Sequence, residues 1–212
     1  MTTTRTRLRS AGKPALHATV AAIAASLALT ACSSDDPAET SSGNGSNGDA
    51  MTSSPEDQTF GPGCSAIPDS GAGSFDGMAT EPVATAASAN PLLTTLVAAV
   101  GAAGLGDTLN SAEAITVFAP TDDAFAEIPA DTLEAVLADT DTLTAILTHH
   151  VVAGQLSPDE VAGTHETLGG TTLVVRGSGE RFTVGNEEAA VLCGNIPTSN
   201  ATVYVIDTVM MP

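Results

Sequence analysis

Three cysteines, two adjacent histidines and two adjacent aspartates are the side chains of this 212-residue chain whose types and spacing could do chemistry. Cys32, Cys64 and Cys193 offer thiols for lipid attachment, disulfide formation or nucleophilic attack. His149 and His150, with His165 further along, offer imidazoles for proton transfer or zinc. Adjacent histidines at the end of a helix or strand point apart, and their separation from His165 matches no zinc-ligand pattern. Asp122 and Asp123 raise a carboxylate pair or a metal site, but adjacent side chains at a helix start do not converge. Favourable contact with the positive helix end accounts for them better. The sequence holds no Gly-x-Ser-x-Gly elbow, no phosphate-binding glycine loop and no His-Glu-x-x-His. The expectation is a protein that is not an enzyme and uses no cofactor or metal.

The cysteines therefore matter for where the chain sits and how it is held. A basic stretch through Lys13, an apolar run from Ala15 to Leu29 and then small residues have the layout of an export signal over residues 1–31. The run is too short and too rich in Ala and Thr for a permanent membrane span. It ends Leu29-Thr30-Ala31-Cys32, which resembles a bacterial lipobox. That resemblance implies cleavage before Cys32 and a diacylglyceryl group on its thiol, whose two chains hold a domain on a membrane where one lets it escape. The competing expectation is an ordinary secretory leader followed by a stray cysteine.

With Cys32 assigned to lipid, Cys64 and Cys193 remain, and an exported domain matures where disulfides persist. The expected Cys64–Cys193 bridge closes a long loop, for which chain entropy gives about 5 kcal/mol. It would pin the Gly/Pro-rich lead-in, residues 59–79, onto the folded domain. Free catalytic thiols are the alternative, though neither cysteine has a histidine nearby in sequence or a CxxC partner.

Charge excludes one class of partner. The chain has 25 acidic and six basic residues, and four of the six (Arg5, Arg7, Arg9 and Lys13) lie in the leader. Arg176 and Arg181 alone face all the acids once the leader is gone, so nucleic-acid phosphates are repelled. Residues 32–58 are Ser, Gly, Asn, Asp, Thr and Pro with almost nothing apolar. They read as a flexible tether spanning on the order of 25 to 30 Å. Two glycosylation sequons, Asn44-Gly45-Ser46 and Asn200-Ala201-Thr202, are read as chance; sugar on the tether hydroxyls is the better-founded modification.

Globular sequence begins near Thr80. A helix is expected over Thr80–Ala89 with Thr80 as cap, and a second from Asn90-Pro91 with Leu92, Leu93, Leu96, Val97 and Val100 on one face, ended by Gly104 and Gly106. Thr116 to Ala119 alternates as a strand and stops at Pro120 before a short helix begun by Thr121-Asp122-Asp123. Helices follow with Leu133, Val136 and Leu137, then Leu143, Ile146 and Leu147, turned inward. Ser157-Pro158-Asp159-Glu160 has capping-box spacing and predicts one more helix start. Strands gather late: a hairpin about Gly169-Gly170, then Arg181–Val184, Ala189–Cys193 and Thr202–Asp207. Helices first and strands last give an α+β fold.

Thr116–Phe125, Val203-Tyr204-Val205-Ile206-Asp207 and, between them, Leu147-Thr148-His149-His150-Val151-Val152 together resemble the paired boxes and central histidine motif of the fasciclin (FAS1) family. The likeness is to its single-domain mycobacterial secreted and lipidated surface antigens, and it covers residues 80–212. It implies a β-wedge of two sheets with helices packed along one side and the two boxes paired at its centre. It also implies adhesion, or contact with extracellular or cell-surface protein or matrix, by a lipoprotein anchored in the cell membrane and facing outward. In the family a tyrosine usually precedes the histidine; here His149 takes its place, and His150 matches the histidine. Leu147, His149, His150, Val151 and Val152 are thus the candidate interaction or structural motif, with structural satisfaction of a buried imidazole favoured for His150. Alternatives are an envelope module that binds polysaccharide or a small ligand, and a surface protein that associates with itself. Tyr204 is the only tyrosine and there is no tryptophan, which argues against stacking on sugars.

Overall fold

The computed structural model describes residues 54–212. The leader, Cys32 and the tether up to residue 53 lie outside the described residues.

Among the described residues seven α-helices and seven strands alternate unevenly, the helices first. Ser74 caps α1 (Phe75–Ala79), its hydroxyl accepting from the Gly77 N–H at 3.2 Å. α2 (Val83–Ala89) starts after Pro82, so Thr80 ends α1 instead of capping α2. α3 (Thr94–Ala102) begins later than its apolar pattern implies, because Leu93 is the N-cap. Gly104, at φ 66°, ends the α3 turn, but Gly106 opens α4 (Gly106–Ser111), a helix that the glycine pair conceals in the sequence.

Next come β1 (Ile115–Pro120), α5 (Asp122–Ala126), α6 (Ala130–Ala138), α7 (Thr140–His149) and β2 (Val151–Ala153). Thr121 caps α5, its hydroxyl accepting from the Ala124 N–H. α6 turns inward as expected at Leu133 and Val136, which are half-buried and pack against the helix-side core, while Leu137 is exposed and no residue of the helix is fully buried. In α7, Leu143, Ile146 and Leu147 are buried as their spacing predicts. The box at Ser157–Glu160 forms only half of its reciprocal pair: the Ser157 N–H donates to Glu160 Oε2 at 3.2 Å, but the Glu160 N–H goes to the Ser157 carbonyl, and the segment closes only a turn. Gly163, at φ 142°, already begins the next strand, leaving no room for helix.

The late strands are β3 (Gly163–Glu166), β4 (Thr172–Ser178), β5 (Arg181–Val184), β6 (Ala189–Pro197) and β7 (Ala201–Ile206). Their order is β2-β1-β7-β6-β5-β4-β3. The two boxes pair in parallel from Ile115↔Ala201 to Pro120↔Ile206. β6 serves both halves: Ala189 and Ala190 pair with β5, while Val191 to Pro197 pair with β7 through two irregularities. Bulges bend and twist a strand, and here they fold the sheet over. A bridge between Val152 and Thr167 links the far edges and draws the two halves into a wedge.

This folding gives the central strands two buried faces. Ile115, Val117 and Ala119 look toward the helices with Val203 and Val205, whereas Phe118 looks into the wedge with Tyr204, Phe182, Val184 and Met210. Strands buried on both sides lose the apolar/polar alternation and read as continuous apolar runs. All six residues of β1 are buried for this reason. The helix-side core also reaches back to Ile67, Phe75 and Met78, before the globular-looking stretch begins.

Candidate functional site

The histidine motif lies where α7 hands over to β2. Leu147, His149, His150, Val151 and Val152 are all buried, so none of these side chains stands on the outer surface where a protein partner would dock. What they do instead is join three parts of the fold.

His150 makes the most demanding of these joints. Its Nδ1 lies 2.8 Å from the Ile146 carbonyl, which can only accept, so Nδ1 carries the proton. Nε2 is then the acceptor, and it receives the Met210 N–H at 3.1 Å. The neutral ring thereby ties the end of α7 to the C-terminal segment. Burial pushes its pKa down to about 4; the Ile146 hydrogen bond and Glu187 oppose that shift, and His149 adds to it. Protonation at Nε2 would put a charge in the core and break the Met210 bond, so His150 is a poor proton shuttle near neutrality.

His149 faces the other way, with ring planes at 90° to those of His150. Its Nδ1 meets the Thr171 hydroxyl, which also contacts the Thr167 hydroxyl at 2.7 Å. Burial lowers its pKa, partly offset by Glu187. The main chain around the motif completes the junction: Phe118 N–H donates to the His150 carbonyl, and Leu168 N–H donates to the Val151 carbonyl. The β3–β4 turn is held against the motif in this way. At its tip Leu168 is 46% exposed, the most exposed of the large apolar side chains among the described residues.

Two further residues of the boxes lock the strands. Thr116 donates its hydroxyl to the Gly154 carbonyl at 2.7 Å and accepts from the Leu156 N–H at 2.9 Å. Tyr204 donates to the Leu156 carbonyl at 2.9 Å, and burial, helped by Glu160, raises its pKa. Asp122 does not serve its own helix. Its carboxylate accepts from the Thr95 N–H at 2.7 Å and the Thr94 hydroxyl at 2.6 Å, capping α3, whose N-cap Leu93 has no side chain to do so. Burial works against its ionisation, but those hydrogen bonds outweigh burial and lower its pKa.

Asparagines are the residues that sequence reasoning missed. Asn200 accepts from the Val83 N–H at 2.9 Å and donates to the Leu109 and Ala112 carbonyls at 2.8 Å, joining α2, α4 and the start of β7. A glycan on this amide would cost those bonds, which supports the chance origin of its sequon. Asn110 accepts from the Ala84 N–H at 2.9 Å and completes the α2 start. The only sequence signal was asparagine beside a helix end, which is common and unspecific.

Cys64 and Cys193 form a disulfide that closes a separation of 129 residues. Beside it, Phe60 and Gly194 exchange backbone hydrogen bonds, and the Phe60 ring lies over Gly194 where a Cβ would collide with it. The lead-in is therefore fixed by covalent, main-chain and aromatic contacts together. Among the described residues no three His, Cys, Asp or Glu side chains stand close enough to hold a metal ion, and no helix is long and apolar enough to cross a membrane.

A strand pair at the centre of a folded sheet, a buried histidine at the helix–strand junction and helices on one side define a wedge-shaped α+β domain. The fasciclin domain model matches residues 91–212, more than half of the chain, and the protein belongs to that family. It is 44% identical over 215 residues to the cell surface glycolipoprotein MPB83 of Mycobacterium bovis, covering 94% of this chain and 96% of that one. It is 50% identical over 160 residues to the immunogenic protein MPB70 of the same species, covering 72% and 81%. Among solved structures, a FAS1 domain pair from the insect cell adhesion molecule Fasciclin I aligns at 24% identity and a TM-score of 0.46, over 56% of this chain and 45% of that one.

Proposed function

We propose that this protein is a lipid-anchored FAS1 protein of the bacterial envelope, held by a diacylglyceryl group on Cys32, which presents its domain outward for contact with protein or matrix. The observation that carries the reading is the 44% identity that runs through 94% of the chain, leader and tether region included, to a relative named a cell surface glycolipoprotein. That relationship supports surface placement, and membership of the fasciclin family supports a non-enzymatic role. Adhesion rests on the family resemblance.

The buried motif directs attention to the surface it supports. The β3–β4 turn with Leu168 projects beside it, and the exposed Arg176 and Arg181 sit on the neighbouring β4–β5 hairpin, the two cations among the described residues. The two turns lie at opposite ends of β4, so the apolar tip at Leu168 by itself is the surface offered beside the motif to a protein partner. Nucleic acid remains excluded as a partner on charge.

Two experiments test the reading. Fatty-acid labelling of cells that produce the wild-type chain or Cys32→Ala is expected to mark only the wild type; equal label in both refutes the anchor. Binding of the full chain to matrix proteins, to cell-wall glycans and to itself, at physiological salt, is expected to give a matrix or protein signal that Leu168→Ser weakens. Adhesion fails if only the glycan or the self-association signal survives.

A further inference from the structure

On the helix side of the sheet an apolar cleft of about 310 Å³ opens between α2, α3 and α4. Leu96, Val97, Val100 and Leu109 form its walls, and Val117 of β1 and Leu147 of α7 lie deeper. Its volume is at the low end of the range for small-molecule sites. It equals roughly ten times the ~30 Å³ that one water occupies in the liquid, which is room for a segment of about ten methylenes.

Two observations show what would fill it. First, the polar groups at its border are already engaged: Asn110 accepts from Ala84 and donates to Thr85, and the Ser88 hydroxyl donates to the Thr85 carbonyl. Among the described residues no buried side-chain polar atom lacks a partner, so the walls offer nothing to a sugar or to an anionic head group. Asp107, exposed at the rim of a strongly acidic domain, repels a carboxylate. Second, two glycines stand at the opening without a backbone reason. Gly101 within α3 and Gly106 at the start of α4 have no positive φ, and a Cβ on either would meet nothing within 4 Å. Glycine inside a helix is unfavourable relative to alanine, and here it keeps the mouth wide.

We infer that this cleft binds a single hydrocarbon chain of a neutral lipid supplied from outside the protein. The chain lies along Val97, Val100 and Leu109 with its head group at the solvent side. The protein's own Cys32-linked lipid is not the occupant, because a domain held by two acyl chains would loosen its anchor by withdrawing one. The inference is independent of adhesion; only the Cys32 comparison below rests on the lipidation reading.

A photoreactive decanol bearing a diazirine, applied to the purified full chain and mapped by mass spectrometry, tests it. Saturable labelling on α3 and α4 is expected, displaced by monodecanoylglycerol and at least tenfold less well by decanoate. Gly101→Leu, which fills the mouth, is expected to cut labelling at least tenfold at an unchanged thermal midpoint. Glu180→Ala, at the exposed β4–β5 turn away from the cleft lining, is expected to leave it intact. Where Gly101→Leu lowers the midpoint, Val97→Met, which narrows the same wall, is expected to give the same loss. Non-saturable labelling, equal displacement by decanoate, or full labelling in the folded cleft variants overturns the proposal. So does labelling that appears in Cys32→Ala and not in the lipidated chain, since the protein's own lipid would then be the occupant.

Discussion

The two faces of the central β1–β7 pair are built differently. The wedge interior gathers Phe118, Phe182 and Tyr204 with Phe60 against them, and ring centroids stand 5.4 to 6.2 Å apart. Aromatic side chains bury large areas and interlock in preferred tilted contacts. The helix side gathers mainly Ala, Val, Leu and Ile from short helices, with separate rings at Phe75 and Phe125 and a border of half-buried apolar residues, and leaves an open cleft. One face makes the boxes rigid, and the other leaves space at the surface.

The largest effect expected on this contrast comes from Phe118→Ala, which should destabilise by about 3 to 5 kcal/mol through the cavity it leaves. Chemical denaturation of the full chain measures it. A loss below about 1 kcal/mol would mean that the wedge interior is as loosely packed as the helix side.

Acid should loosen the junction next. His150 has a folded pKa of about 4 against an ordinary 6.5, so the unfolded chain binds more protons between those values. The stabilisation is complete above pH 6.5 and is lost progressively as pH falls toward 4, up to about 3 kcal/mol. Thermal midpoints across that window should fall in the wild type and less steeply in His150→Gln. A flat profile in the wild type would contradict a neutral, buried imidazole. Asp122 titrates in a lower window, since its pKa is depressed below 3.8 and its cap on α3 is lost only in stronger acid.

Smaller effects belong to the helix side. Asp122→Ala removes the side-chain cap of α3 and should cost about 1 kcal/mol. Val100→Ala, on the wall of the cleft, should cost about 1 kcal/mol or less because the residue is half-buried and beside open space. Equal costs for Val100→Ala and Phe118→Ala would erase the distinction between the faces.

The same contrast governs what could be read from the sequence. β1 and β7 were legible because apolar runs that end at Pro120 and Asp207 are long and bounded, and their pairing came from the family resemblance. Val117 and Ala119 against Phe118 follow from the two-residue period alone. The short helices were not legible to the same degree. α1 has five residues, and its only signal is Ser74 as cap. α4 hides behind glycines that the sequence presents as a stop. α6 shows inward spacing at Leu133, Val136 and Leu137; the first two pack half-buried against the core, while Leu137 stays exposed. Helix periodicity states which residues share a face and not whether anything covers it. The buried histidine was expected from the motif, but its donor at Met210, 60 residues away, is a product of the fold. Asp122 illustrates the same limit: a carboxylate read as serving its own helix caps another.

Native-state hydrogen exchange on the full chain tests the contrast between the faces most directly. Amides of β1 and β7 should exchange only through global unfolding, while those of α2, α3 and α4 exchange through local opening at clearly lower free energy. Protection of α2 to α4 equal to that of β1 and β7 would contradict the account, since the helix side would then be as closed as the wedge interior.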